Sequence, residues 1–222
     1  MIKAVAINGS PRMERGNTAL VLDPFIQGMM DGGSEVDQFY ASRLKVKPCS
    51  CGRMQCWNDS SGECCIQDDM QTLCPKLKAA DILILAAPVY VPLPGEMQNV
   101  INRLVPLIDP VLEKRQGRTR ARFRNDVNIH KIVLVVVSGW WEIENCETVV
   151  RIAKEFAEDA SVEFGGAVLR PHSSYLKKGG KITPDGEDVL AAVKMAGKEL
   201  ILSGSMRQDT LERISRPLVP EE

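Results

Sequence analysis

The chain has 222 residues, a length that suits one α/β domain with some elaboration and a full hydrophobic core. Its formal net charge of -1 at pH 7 argues against a protein that coats nucleic acid. No apolar run reaches the length of a membrane span, and the first residues lack the charged lead and apolar core of a secretory signal. We therefore expect a cytoplasmic protein without nucleic-acid or membrane partners.

The first strand and the loop after it form the most informative stretch. Residues 2–7 are apolar and β-branched, which is typical of a strand buried on both faces of a parallel sheet. Turn formers end the strand, and Asn17 or Thr18 can cap the following helix. Such a loop presents N–H groups and the positive end of the helix dipole to an anion. We interpret it as a phosphate site with Ser10, Arg12, Asn17 and Thr18 as donors, although an ordinary βα connection has the same composition.

Six of the seven cysteines lie between Cys49 and Cys74, and only Cys146 stands apart. In a reducing compartment, such crowding indicates metal or redox chemistry more than disulfides. Five of the six belong to a long connection over residues 41–67, after a second predicted strand at 35–40. Loops of this length inside a domain are usually functional or disordered, and the clustered cysteines favour an ordered one.

The rest of the chain alternates strands and helices. Strands are predicted at 81–87, 131–137 and 162–169, and the first two are apolar throughout, as in the centre of a parallel sheet. The predicted helices run from Asp68 to about Ala80 with a kink or restart at Pro75, from Gly95 to about Ile108, from Ile143 to Ala160, and from Pro184 to about Ile214.

Residues 113–126 interrupt this alternation with arginines at every second position: Arg118, Arg120, Arg122 and Arg124. A solvated loop or hairpin edge is the favoured interpretation. The alternative is a docking surface for an acidic partner or for the extra phosphate of a dinucleotide.

Five strand–helix repeats predict a doubly wound, five-stranded parallel sheet with strand order 2-1-3-4-5. Ligands bind such sheets beyond the carboxyl ends of the strands, where the strand order reverses. Three loops are therefore expected to meet around one crevice: residues 9–18, 88–95 and 138–141. The predicted organisation is a single domain over 1–216, with a cysteine-rich loop at 41–67 and a basic loop at 113–126, followed by a loose tail at 217–222.

Three segments resemble the NADPH-dependent FMN reductase family of flavodoxin-like proteins: the loop Gly9-Ser10-Pro11-Arg12 with Gly16-Asn17-Thr18, the strand exit Pro88-Val89-Tyr90, and the helix Val100-Ile101-Asn102-Arg103. The segment from Cys49 to Met70 is similar to the iron–sulfur flavoprotein branch of that family. The resemblance covers roughly residues 1 to 105 and implies a flavodoxin-like fold.

The resemblance implies an FMN with its phosphate in the first of these segments. A flavin needs a flat, mostly apolar slot with a few donors near its ring nitrogens. The expected cofactor contacts are Ser10, Arg12, Asn17 and Thr18 for the phosphate, Pro88, Val89, Tyr90 and Val91 beside the ring, and Ser138, Gly139 and Trp140 as a third wall. No side chain is expected to act as a catalyst, since the chemistry takes place on FMN. His172 follows the last strand at its carboxyl end and could approach the crevice, but a surface position is the favoured interpretation.

The iron–sulfur branch implies a [4Fe–4S] cluster, which requires four cysteine ligands. The expected ligands are Cys49, Cys51, Cys56 and Cys64, with Cys65 as an alternative to Cys64. Their spacing departs from the compact C-x2-C-x2-C pattern of the branch. A tetrathiolate zinc site and unliganded thiols are the alternatives.

We therefore expect an FMN-dependent oxidoreductase that passes electrons from a reduced donor, such as NAD(P)H, through FMN and a [4Fe–4S] cluster to an acceptor. The alternatives are an FMN electron carrier without nicotinamide activity and a zinc-binding, non-catalytic module. The resemblance also implies a homodimer or homotetramer, with Trp57, Trp140 and Trp141 as candidates for its interface.

Overall fold

The structure, a computed structural model, describes residues 1–52, 54–58 and 62–219. Its strands are β1 (Lys3–Asn8), β2 (Glu35–Tyr40), β3 (Ile82–Pro88), β4 (Glu113–Arg115), β5 (Arg118–Arg120), β6 (Lys131–Val137), β7 (Glu163–Arg170), β8 (Lys177–Lys178) and β9 (Lys181–Ile182). Its helices are α1 (Asn17–Asp31), α2 (Gln55–Asn58), α3 (Met70–Ala79), α4 (Gly95–Asn102), α5 (Glu147–Ala160), α6 (Pro184–Ser203) and α7 (Gln208–Ser215). No helix in these ranges is long and apolar enough to cross a membrane.

Five parallel strands form the main sheet in the order β2-β1-β3-β6-β7. When the strands of the two small hairpins are set aside, this is the order 2-1-3-4-5, so the predicted flavodoxin-like topology is confirmed. The strands β3 and β6 are buried over almost their whole length, as their unbroken apolar sequences require. The strand β2 is at the edge and is only partly buried.

Helices cover both faces of the sheet. One core lies between the sheet and α1 and α6, and the other lies between the sheet and α3, α4 and α5. The helices α1 and α6 touch at glycines: a Cβ atom on Gly28 would lie 1.8 Å from the Lys194 carbonyl oxygen, and one on Gly197 would lie 2.1 Å from the Phe25 carbonyl oxygen. Any larger side chain at these two positions would force the helices apart.

The predicted closing helix from Pro184 to Ile214 is wrong, because two helices occupy this range. The first ends at Ser203, and Gly204 adopts a φ of 76°, a left-handed conformation that glycine tolerates at a helix end. The second begins at Gln208. The predicted tail at 217–222 has no helix or strand in its described part, and residues 220–222 lie outside the described ranges.

Of the kink or restart predicted at Pro75, the restart is wrong, because α3 runs through this residue without interruption. Leu73 and Leu77 are completely buried against the sheet on either side of it. Their burial stabilises the helix in spite of the hydrogen bond that a proline cannot make.

The basic segment forms the hairpin β4–β5, in agreement with the favoured interpretation of a hairpin edge. Arg118 and Arg120 both form ion pairs with Glu155 of α5, and Arg120 also pairs with Glu158. The carboxylates of α5 therefore already interact with the charges that an acidic partner would use.

Candidate cofactor site and cysteine pocket

Three loops leave the carboxyl edge of the main sheet side by side. Asn8 pairs with Ala86, and Pro88 pairs with Val137, so that β1, β3 and β6 end at nearly the same level. The N–H group of Gly9 continues the ladder to the Ala86 carbonyl, at 2.7 Å. We call these loops the first loop (residues 9–18), the second loop (88–95) and the third loop (138–141).

The first loop leaves the start of α1 uncapped. Helix α1 begins at Asn17, its N-cap position is Gly16, and no side chain accepts a hydrogen bond there. The prediction that Asn17 or Thr18 caps the helix is therefore wrong, since both lie inside its first turn. A Cβ atom on Gly16 would lie 2.6 Å from the Ser10 hydroxyl oxygen, so glycine lets Ser10 approach the helix end. The first N–H groups of a helix have no partner within it, which makes this end suitable for an anion.

Two buried polar atoms near this helix end have no hydrogen-bond partner within the described residues. They are the hydroxyl oxygen of Thr18, in a residue 1% exposed, and the side-chain amide nitrogen of Asn8, in a residue 0% exposed. Leaving such a group unpaired costs about 1–3 kcal/mol, so native proteins seldom do it without a reason. Both atoms fit a site that is completed by an acceptor from outside the chain.

The second and third loops carry exposed apolar side chains at this edge. Tyr90 is 50% exposed, Val91 is 99% exposed and Trp140 is 68% exposed. Ser138 is buried, and its hydroxyl oxygen accepts a hydrogen bond from the Trp140 N–H group at 3.0 Å. Its exposure shows that Tyr90 is not a core residue, and its contact with a ligand stays a prediction. Together, the two loops offer apolar surface to a planar molecule.

A second group of polar residues, which follows β7 in the sequence, adjoins the first loop. Ser173 accepts a hydrogen bond from the Asn17 side chain at 3.1 Å, which joins the first loop to the segment after β7. Its neighbour His172 is only 8% exposed, so the expectation of a surface position is wrong. The His172 ring packs against Trp141, at 3.7 Å between centroids, and against Tyr175, at 3.9 Å, and these two rings are 5.8 Å from each other. In the sequence, the only sign that His172 lies near the first loop was its position just after the last strand of the main sheet.

The electrostatic surroundings of His172 favour its neutral form. Burial, and then the positive charge of Arg170, lower the pKa of His172 below its ordinary value of 6.5. The Nδ1 atom of His172 is buried and has no partner among the described residues. Arg170 itself is completely buried and donates to the carbonyl groups of Ile214 and Arg216 at the end of α7.

The four cysteines predicted as metal ligands lie in one neighbourhood, which we call the cysteine pocket. Cys51 and Cys64 both lie close enough to Cys49 and Cys56 to contribute to the raised pKa values of these two thiols. Burial, followed by the neighbouring thiols, raises the pKa of Cys56 to about 11. Cys65 is exposed, and no cysteine of the chain forms a disulfide.

The cysteine pocket has the donors of a thiolate metal centre but not its finished geometry. Among the described residues, no three side chains of the metal-binding types are arranged to hold an ion. Four thiols in one place fit the chemistry of an iron–sulfur or zinc centre, since both use cysteine sulfur. Residues 53 and 59–61 of the predicted cysteine-rich loop lie outside the described ranges.

Comparison with known proteins adds the family context. Residues 2–144 match the NADPH-dependent FMN reductase family. An iron-sulfur flavoprotein from Archaeoglobus fulgidus is 36% identical over 107 residues, which are 47% of this chain and 46% of that protein. An iron-sulfur flavoprotein from Methanosarcina thermophila is 32% identical over 106 residues, which are 47% of this chain and 53% of that protein. The chain thus spans about half the length of the curated relatives it matches.

Solved structures agree on the fold. An azoreductase from Bacillus anthracis superposes with a TM-score of 0.62 over 91% of this chain and 100% of its own, at 12% identity. An NAD(P)H:quinone oxidoreductase from Methanothermobacter marburgensis gives a TM-score of 0.56 over 90% and 96% of the two chains, at 16% identity. The match over residues 2–144 shows that the chain belongs to the NADPH-dependent FMN reductase family, and the relatives that it resembles in sequence are iron-sulfur flavoproteins.

Proposed function

We propose that this protein is an FMN-dependent oxidoreductase, and one observation carries the proposal. The Thr18 hydroxyl and the Asn8 amide are buried without partners beside the uncapped start of α1. A phosphate group has three strong acceptor oxygens and a negative charge. It would accept hydrogen bonds from the Thr18 hydroxyl and from the first N–H groups of α1, where the helix dipole also favours an anion.

The other donors of the first loop are proposed to complete the phosphate site. Ser10 is buried beside Gly16, and Arg12 is exposed at the rim of the loop, where its guanidinium can reach an anion from the solvent side. Asn17 at present donates to Ser173, so we propose that this amide exchanges that acceptor for a phosphate oxygen when the cofactor binds.

The flavin ring is proposed to lie between the second and third loops. When bound, FMN supplies the redox chemistry, because it accepts a hydride and releases electrons singly or in pairs. The chain then orients the ring and excludes water from it with the exposed apolar surface of these loops. The proposed ring contacts are Pro88, Val89, Tyr90, Val91, Ser138, Gly139 and Trp140.

We further propose that the cysteine pocket holds a [4Fe–4S] cluster through Cys49, Cys51, Cys56 and Cys64. The proximity of Cys64 to Cys49 and Cys56 supports Cys64, rather than Cys65, as the fourth ligand. Zinc is the rival occupant, since it also binds four thiolates. Free thiols throughout the chain fit a reducing compartment, so we propose a cytoplasmic location.

The electron donor is proposed to be NAD(P)H, in keeping with the description of the family. The acceptor is proposed to be a small molecule or an electron-carrying protein that approaches the exposed second and third loops. We also propose a homodimer or homotetramer, because Trp140 exposes 68% of its surface and apolar surface of this kind is commonly covered by a partner.

The visible spectrum and metal content of the purified protein test these proposals together. We expect a yellow-brown protein with one FMN and about four iron atoms per chain, the number in a cubane cluster. A yellow protein without iron would retain FMN and refute the cluster. A colourless protein with bound zinc would refute the oxidoreductase and support a non-catalytic zinc module.

Anaerobic titration with NADPH or NADH separates an enzyme from an electron carrier. We expect the flavin absorbance to bleach within seconds of mixing with at least one of the two nucleotides. Dithionite provides the control, because it reduces a bound flavin whether or not a nicotinamide can react with it. Bleaching by dithionite alone would refute the NAD(P)H-dependent activity and leave an FMN carrier.

A further inference from the structure

The described parts of residues 47–68, which we call the cysteine segment, contain little regular structure of their own. Their only helix is the four-residue α2, and none of these residues belongs to a strand. Backbone carbonyl groups in such a segment need partners from elsewhere in the chain. Two arginines far away in the sequence supply them.

Arg103, just after α4, holds both ends of the cysteine segment. Its guanidinium donates to the Lys47 carbonyl at 2.8 Å, two residues before Cys49, and to the Ile66 carbonyl at 3.4 Å, two residues after Cys64. It also lies close enough to Cys64 for the two groups to interact electrostatically. Arg103 is only 2% exposed, so these bonds are shielded from water.

Asp68 fixes the orientation of the Arg103 side chain. The two groups form a bidentate ion pair with N–O distances of 2.6 Å and 3.1 Å, and both side chains are almost completely buried. Asp68 also accepts hydrogen bonds from the N–H groups of Lys47 and Met70. The buried pair therefore joins the two ends of the cysteine segment to each other and to α4.

Arg124 holds the middle of the cysteine segment. Its guanidinium donates to the carbonyl groups of Cys56 and Trp57 at 3.3 Å and 3.1 Å, and to that of Pro106 at 2.9 Å. The Trp57 indole N–H group donates to the Asp109 carbonyl at 3.2 Å, which strengthens the same attachment. Arg124 belongs to the basic segment, whose role the sequence left open.

We propose that Arg103 and Arg124 are positioning residues that hold the cysteine segment in place before any metal binds, and that the Arg124 guanidinium, which donates to the Cys56 carbonyl, also acts on the bound centre through its charge. A segment held at its ends and its middle brings four thiols together at a lower cost in chain entropy. Hydrogen bonds and positive charge near the sulfurs of an iron–sulfur cluster raise its reduction potential. The inference about the potential rests on the proposed cluster, whereas the inference about preorganisation does not.

Thiol reactivity in the metal-free protein tests the preorganisation. Cys56 is 5% exposed in the cysteine segment, and Cys146, at the start of α5, is 0% exposed and provides an internal reference. We expect Arg124→Gln to raise the ratio of Cys56 to Cys146 labelling at least tenfold, read by mass spectrometry of peptides. Arg122→Gln, which alters an exposed arginine of the same segment, should leave the ratio unchanged.

An unchanged ratio in Arg124→Gln, whether neither thiol or both thiols react faster, would overturn the preorganisation. Arg103→Lys gives a second, independent variant, because lysine keeps the charge but cannot form the bidentate pair with Asp68. We expect the same rise in the ratio for this variant, and an unchanged ratio in Arg103→Lys would equally overturn the preorganisation.

The reduction potential of the iron-loaded protein tests the charge effect, which a merely structural role would not produce. We expect Arg124→Gln to shift the potential to more negative values, Arg124→Lys to restore it in part, and Arg122→Gln to leave it as in the wild type. Equal potentials in all four proteins would overturn this inference. Wild-type protein without iron would refute the proposed cluster instead, and the labelling ratio would still report on preorganisation.

Discussion

The Thr18 hydroxyl offers a sharp test of the cofactor site, because replacing it should have opposite effects on stability and on binding. Thr18→Val removes a buried hydroxyl without a partner and keeps nearly the same volume. The apoprotein should therefore be as stable as the wild type, or more stable by about 1 kcal/mol. A hydrogen bond to a charged phosphate contributes about 1.5–3 kcal/mol. Its loss should weaken FMN binding by about 10- to 150-fold.

Urea unfolding of the apoprotein and fluorescence titration with FMN measure the two effects. Thr210→Val is a matched control, since Thr210 is 4% exposed but its hydroxyl donates to Glu199 at 2.8 Å. This control should lower the free energy of unfolding by about 1–3 kcal/mol and leave FMN affinity unchanged. The interpretation of the first loop as a phosphate site is refuted if Thr18→Val destabilises the apoprotein as the control does and binds FMN like the wild type.

Three further predictions concern stability. Asp68→Asn leaves the buried charge of Arg103 without its partner, and it should lower the free energy of unfolding, measured with urea, by about 3–5 kcal/mol. A loss below about 1 kcal/mol would contradict the burial of the pair. Gly28→Ala should destabilise the chain by about 1–3 kcal/mol, because the new Cβ would meet the α6 backbone, and an unchanged melting temperature would refute the close contact of the helices. The pKa of His172 is lower in the folded chain than in the unfolded chain, so His172 binds a proton more readily in the unfolded chain as the pH falls. The free energy of unfolding should therefore decrease between pH 7 and pH 5. His172→Asn, which suits the φ of 49°, should flatten this decline, and an equal decline in both proteins would contradict the burial of the ring.

The pattern of apolar runs was sufficient to predict the sheet. The strands at 81–87 and 131–137 have no polar alternation, which places them in the centre, and five strand–helix repeats leave few topologies. The structure confirms the order. The small polar residues of the first loop likewise predicted a helix start suited to an anion. Local propensity could not predict two features of the helices. The break after α6 depends on the left-handed backbone conformation of Gly204, and the continuity of α3 through Pro75 depends on the burial of the leucines on either side.

The sequence by itself determined the fold class and the three loops at one edge of the sheet, whereas the four thiols as metal ligands stay a prediction. Only the tertiary structure decided which distant groups meet. The bonds from Arg103 to Lys47 and from Asn17 to Ser173 span 56 and 156 residues, and no local pattern encodes such distances. The burial of His172 and the missing partner of Thr18 were decided in the same way, because whether a polar group is satisfied depends on all the elements packed around it.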